Sequence, residues 1–250
     1  MLKNNQKSKS WYHSIASNRR KEMLEILTKI SRLHQSHKLS FIIVGACSLV
    51  IRDCLKYVAW WDVDLLFKSP EEIEKFKGVA TTNRLKIFPI DEKIIDYGYL
   101  SSFQTMWGLN NVWYRVDYIY RENYYLFHSQ SPLSSIIFQE RVLWKNKSYS
   151  IEVPVAHPWN MFIDKLLSPR FEFDLKNRDS FSIDIRHLFI LLEMYQTNPE
   201  FWQYLSSKTA EFNIQKTFKI NLENLLEAKN NLGYESLPVE PAYLNYKKYL

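Results

Sequence analysis

The sequence predicts an α+β fold: a mixed β-sheet core with flanking helices, followed by a C-terminal helical region. Three observations point there. Up to about residue 156 the chain carries short apolar, β-branched or alternating runs of strand length between helical stretches. From Pro158 onward the apolar spacing is helical throughout. With 46 % hydrophobic and 24 % charged residues, the 250-residue chain can bury a sizeable core, so a disordered or collagen-like class is excluded.

Taken in order, a basic arm over 1–17 precedes an amphipathic helix over 18–37, with Met23, Leu27, Ile30 and Leu33 at helical spacing. Phe41 to Val44 is a continuous apolar run and reads as a buried strand that stops at Gly45. A helical pattern from Ala46 to about Leu55 follows, then a strand over Trp60 to Phe67 bounded by Ser69 and Pro70. Glu71 to Lys77 reads as a short helix, and Arg84 to Phe88 and Trp113 to Tyr120 as strands, the latter alternating. Two strands, about 141–145 and 149–154, flank the turn at Asn146 and Lys147. The helical region is expected as a helix over 158–168, a charged loop over 169–178, a helix over 180–196 and a further helical stretch from Pro199 to about 230. The domains are therefore expected at 18–156 and 157–250.

Composition excludes some chemistries. The five glycines, at 45, 78, 98, 108 and 233, never cluster, so no glycine-rich loop is present to cradle phosphates. The charge of +6 is uneven: residues 1–40 hold nine Lys or Arg against two Glu, and the remainder is close to neutral. Such a segment suits a polyanion such as RNA, and equally a solvated, solubilising tail. Cys47 and Cys54 are too few for a disulfide framework and read as small apolar residues in a reducing compartment. The start, MLKNNQKSKSWYHS, lacks the apolar stretch of a secretory leader. The longest apolar run, 41–51, is far short of the roughly 20 residues of a membrane helix, so a cytoplasmic protein is expected.

The carboxylates carry the chemistry. Asp62 and Asp64 flank Val63 on a strand, and the period of two puts both on one face. Neighbouring carboxylates repel unless a cation lies between them, and a hard divalent ion held by carboxylates and substrate phosphates is the economical answer. Asp117 lies on a later strand, inside the apolar run VWYRVDYIY, where an acid needs a partner or a task. Asp184 shares a helical stripe with Leu188, Leu191 and Tyr195, so it too wants a cation, and Lys165 is the obvious one.

The run VGACSLVIRDCLKYVAWWDVDLLF, followed by VWYRVDYIY, resembles the catalytic core of the polymerase-β-like nucleotidyltransferase superfamily. In that family a Gly-Gly or Gly-Ser turn opens a helix after the first strand, a D-x-D strand follows, and a third carboxylate comes from a neighbouring strand. By this resemblance Gly45, Ala46 and Ser48 match the turn and helix start, and Asp62, Asp64 and Asp117 match the metal ligands. The segments VPVAHPWNMFIDKLLSPR and DSFSIDIRHLFILLE resemble the helical half of the branch that includes the bacterial abortive-infection toxins of toxin–antitoxin pairs. There Lys165 and Asp184 match a Lys and an Asp-Ile pair on successive helices. The chain differs in having Ala46 for the second glycine, and Val58 and Trp60 where relatives often carry Arg and Thr.

The resemblance implies transfer of a nucleoside monophosphate from an NTP, ATP among them, to an acceptor hydroxyl, with Mg²⁺ or Mn²⁺ held by Asp62, Asp64 and Asp117. Gly45, Ala46 and Ser48 would hold phosphates, and Lys165, helped by Arg170 and with Asp184 beside it, would neutralise the leaving group. RNA or tRNA is the favoured acceptor because of the basic N-terminal region; a protein or small-molecule hydroxyl is the other option. The rival expectation is a catalytically silent module of the same fold that binds RNA or a protein partner.

Overall fold

The computed structural model describes residues 11–56, 62–82, 86–91, 100–109, 112–121, 123–130, 136–177 and 182–234, and side chains outside 80–113. It has two compact units, 1–157 and 158–250. The first is α+β with a mixed sheet and the second is helical, as the sequence predicts.

In the first unit a 3₁₀ turn at Trp11–Ser14 leads into α1 (Arg20–His37). Trp11 and Ile15 are buried, and the Trp11 indole donates to Glu140. The Arg20 guanidinium donates to the carbonyls of Tyr12, His13 and Ile15. Residues 11–15, read as part of the arm, are thus packed, because two large apolar side chains outweigh the polar surroundings that suggested a tail.

Strand β1 (Phe41–Val44) runs directly into α2 (Gly45–Ile51), followed by β2 (Asp62–Phe67) and α3 (Pro70–Thr82). Then come β3 (Lys86–Asp91), β4 (Leu100–Leu109), β5 (Val112–Arg121) and α4 (Tyr124–Ser129). The sheet order is β1-β2-β5-β4-β3; β2 and β5 are parallel and every other neighbour is antiparallel. Placing β5 beside β2 is what brings the distant Asp117 next to the D-x-D strand. Phe41, Phe67, Phe76 and Tyr118 pack edge to face or tilted at 5.4–5.8 Å beneath it, the geometry aromatic quadrupoles favour.

A hairpin, β6 (Ile137–Trp144) and β7 (Lys147–Pro154), closes the unit, turning through Lys145 and Asn146 with positive φ. It is held to α1 where the Ser31 hydroxyl both donates to the carbonyl of Glu152 and accepts from its amide.

The second unit consists of α5 (Pro158–Leu166), α6 (Pro169–Lys176), α7 (Ile183–Tyr195), α8 (Pro199–Glu211) and α9 (Gln215–Ala228). The stretch over 169–178, expected as a charged loop, is mostly helix. Ser168 caps it by accepting from the amide of Phe171, Pro169 fills the first helical position, and Phe171 is buried. No helix among the described residues is long and apolar enough to cross a membrane.

Candidate active site: a carboxylate row beside the Gly45 turn

The site follows from strand register. Val44 on β1, Asp64 on β2 and Asp117 on β5 stand opposite one another in a single row across three strands. One pleat period back, Asp62 stands opposite Arg115. Residues two apart on a strand share a face, so Asp62, Asp64, Arg115 and Asp117 all lie on one side of the sheet. Val63 and Leu65, facing the other way, are fully buried.

Gly45 ends β1 and opens α2 with φ +66°, a conformation open to glycine at little cost. A side chain there would collide with the Asp64 carboxylate: a Cβ would run into Oδ2 and stand 3.0 Å from Cγ. The missing side chain is the space in which Asp64 sits. Ser48 is buried, and its hydroxyl donates to the Gly45 carbonyl at 2.7 Å, bracing the turn from below. Cys47 on α2 is buried; burial pushes its thiol well up, and the charges of Asp64 and Asp62 push the same way.

Arg115 is the residue that the sequence reading passed over. Its Nη2 donates to Asp62 Oδ2 at 2.6 Å, and its Nε lies 3.2 Å from Asp117 Oδ2. One guanidinium therefore faces two of the three carboxylates. The signal was present in the segment YRVDY, since the alternation that pairs Asp62 with Asp64 also pairs Arg115 with Asp117. Asp117 is buried, and its Oδ1 has no hydrogen-bond partner. Burial raises its pKa to about 6; Arg115 works against that rise and Asp62 adds to it.

The donor chemistry suits a hard divalent cation, with carboxylate oxygens on two adjacent strands and an unpartnered buried oxygen on Asp117. Among the described residues no three His, Cys, Asp or Glu form a ready-made metal cluster. In this arrangement Arg115, rather than a shared focus, is what links Asp62 and Asp117. Val58 and Trp60 lie outside the described residues.

In the second unit Lys165 donates to Asp184 at 2.5 Å, and both are largely buried. Arg170 Nε lies 3.8 Å from Asp184 and 3.7 Å from Asp174, whose Oδ2 also accepts from the Ser182 hydroxyl. Burial pushes Asp184 up, but the charge and hydrogen bond of Lys165, with Arg170 and His187, hold it below the ordinary carboxylate range. Asp184 is thus paired with Lys165, and Leu188 and Leu191 of its predicted stripe are buried. Neighbouring His187 is pushed down to about 3, first by burial and then by Lys165.

No family model matches the chain, and no curated protein matches it. Among solved structures, a crystal structure from H. pylori described as a "putative nucleotidyltransferase" aligns over 94 % of this chain and 97 % of its own, at 13 % identity and a TM-score of 0.35. A likeness of that size establishes neither family nor activity.

Proposed function

We propose that the chain is a metal-dependent nucleotidyltransferase that moves a nucleoside monophosphate from an NTP to an acceptor hydroxyl. The observation that carries the reading is the row of carboxylates on adjacent parallel strands, with Asp64 seated in the space left by Gly45. Asp62, Asp64 and Asp117 would hold Mg²⁺ or Mn²⁺, which when bound supplies charge stabilisation to an in-line displacement at phosphorus. Asp117, the buried carboxylate of the row, would also take the proton from the acceptor hydroxyl. The amides following Gly45 are the candidate phosphate donors, with Ser48 keeping that turn in shape. The roles given to Lys165, Arg170 and Asp184 at the nucleotide rest on family resemblance alone. An RNA or tRNA acceptor rests on the basic N-terminal region.

Incubation with Mg²⁺, each labelled NTP, and tRNA or total cell protein tests the reading. Transfer that Asp62→Ala abolishes supports it. Absence of transfer to every acceptor, with no thermal shift on adding Mg-NTP, rejects it.

One observation favours a second reading, a catalytically silent module of this fold. Arg115 already supplies positive charge to Asp62 and Asp117, so the row needs no metal for its stability. On that reading Mg²⁺ leaves the melting temperature unchanged, and RNA or a protein binds equally well to wild type and Asp64→Asn.

A further inference from the structure

We propose that Arg115 is an exchangeable counter-cation of the carboxylate row, which neutralises Asp62 and Asp117 in the metal-free protein and yields them when a divalent cation enters. The inference rests on reading the row as a metal site and adds a residue to it.

The geometry points to exchange because Arg115 holds its two partners unequally. Its contact with Asp62 is a hydrogen bond of 2.6 Å. Its contact with Asp117 is charge without a hydrogen bond: Nε at 3.2 Å is not aligned to donate and has no other acceptor. The Asp117 side chain is only 8 % exposed, and its Oδ1 is left without a partner. A buried carboxylate oxygen in that state is costly and marks a place for a ligand. With Asp64 in the same row and Asp62 one pleat back, a divalent cation is the ligand whose charge suits that oxygen.

Arg115 is also free to leave. Its side chain is 43 % exposed, so withdrawing the guanidinium returns it to water without opening a cavity in the core. Asp117 cannot follow, being fixed on β5 opposite Asp64. The charges favour replacement as well, since a guanidinium brings one positive charge to the two carboxylates and a divalent ion brings two. Removing Arg115 should therefore strengthen metal binding, the opposite of what removing a structural support does.

The experiment uses the full chain with Mn²⁺ as probe, free ion being counted by electron paramagnetic resonance. Arg115→Gln should bind Mn²⁺ about tenfold more tightly than wild type, the size expected when a competing charged contact of about 1.4 kcal/mol is lost. Arg115→Lys, which keeps the charge, should stay near wild type, and Asp117→Asn should lose binding in both backgrounds. Equal or weaker Mn²⁺ binding by folded Arg115→Gln overturns the proposal. Should that variant not fold, the Arg115 Nε–Hε resonance in the wild-type protein decides: it should shift on saturation with Mg²⁺, and an unmoved resonance overturns the idea. Tighter Mn²⁺ binding without transfer from any NTP leaves the exchange standing and removes the enzyme reading. Transfer with unchanged Mn²⁺ affinity in Arg115→Gln does the reverse.

Discussion

The Asp64 carboxylate occupies the space that a side chain on Gly45 would fill, with Cγ only 3.0 Å from where that Cβ would stand. Turn and carboxylate are therefore one fitted unit, and Gly45 cannot gain a side chain while Asp64 keeps its place. Gly45→Ala forces an L-residue to φ +66° and drives the new methyl into Asp64. The conformational penalty by itself is about 1–2 kcal/mol, and relief of the clash displaces Asp64 from its row. A melting temperature lowered by several degrees, with Mn²⁺ binding lost, is the expected result. Gly78, exposed in α3 with open space around its would-be Cβ, is the control. Gly78→Ala should raise stability by about 0.5–1 kcal/mol through helix propensity, and a comparable loss at both glycines would refute the fitted-unit account.

The Lys165–Asp184 pair gives a second prediction, through double-mutant analysis in denaturant. Both side chains are largely buried, at 10 % and 16 % exposure, so removing Asp184 leaves the Lys165 ammonium uncompensated, and removing Lys165 leaves Asp184 only the looser contact with Arg170 at 3.8 Å. Lys165→Met and Asp184→Leu should each cost about 3–5 kcal/mol, whereas the double variant should recover most of that loss. Strictly additive losses would show that the two are not coupled. The folded double variant then separates packing from nucleotide chemistry, because a lower affinity for NTP in a stable protein could not be blamed on unfolding.

Which parts of this arrangement could be read from the chain follows from how local each signal is. The strand, Gly45, helix and D-x-D strand were legible because a β-branched run, one glycine and a period of two are each confined to a few residues. Strand β4 carries no local strand signal, since LSSFQTMWGL mixes polar and apolar residues and becomes a strand by pairing along the whole of β5. Helix α6 does carry a helix signal, Ser168 and Pro169 being a cap followed by a first-turn proline. Its charged residues obscured Phe171, the side chain that holds it down. Arg115 was legible in principle by alternation, but its partnership with Asp62 depends on β2 and β5 being parallel neighbours, a long-range fact.

His187 sets a pH dependence. Burial, followed by the charge of Lys165, lowers its folded pKa from 6.5 to about 3. Below pH 6.5 the unfolded chain takes up a proton that the folded protein refuses, so stability falls as pH falls. The slope is about 1.4 kcal/mol per pH unit for the one proton, and it ends near the folded pKa. His157, lowered to about 4 by burial and by Arg52, acts in the same direction over a narrower range. Denaturant titrations at pH 7, 6 and 5 should show His187→Gln with a shallower decline by that one-proton slope. Identical pH profiles for variant and wild type would mean that this histidine titrates normally when folded.

The N-terminal basic residues divide into two groups with different work. Arg20 spends its guanidinium on the carbonyls of Tyr12, His13 and Ile15, and Arg19 lies over the Tyr114 ring at 5.8 Å. Arg20 thereby ties the turn that carries the buried Ile15 to the start of α1. Lys3, Lys7 and Lys9 precede that packed stretch. Deleting 1–18 or making Trp11→Ala should cost about 3–5 kcal/mol, the range for removing a large buried aromatic, and deleting residues 1–10 is the shorter truncation that spares Trp11. RNA binding supplies the complementary readout. If the three lysines contact phosphates, the shorter deletion weakens binding to a single-stranded RNA and flattens its salt dependence by about 0.7 in log–log slope per lost contact. A salt slope unaltered by removing 1–10 would leave those lysines as a solubilising tail and move the search for an acceptor surface to the rest of the chain.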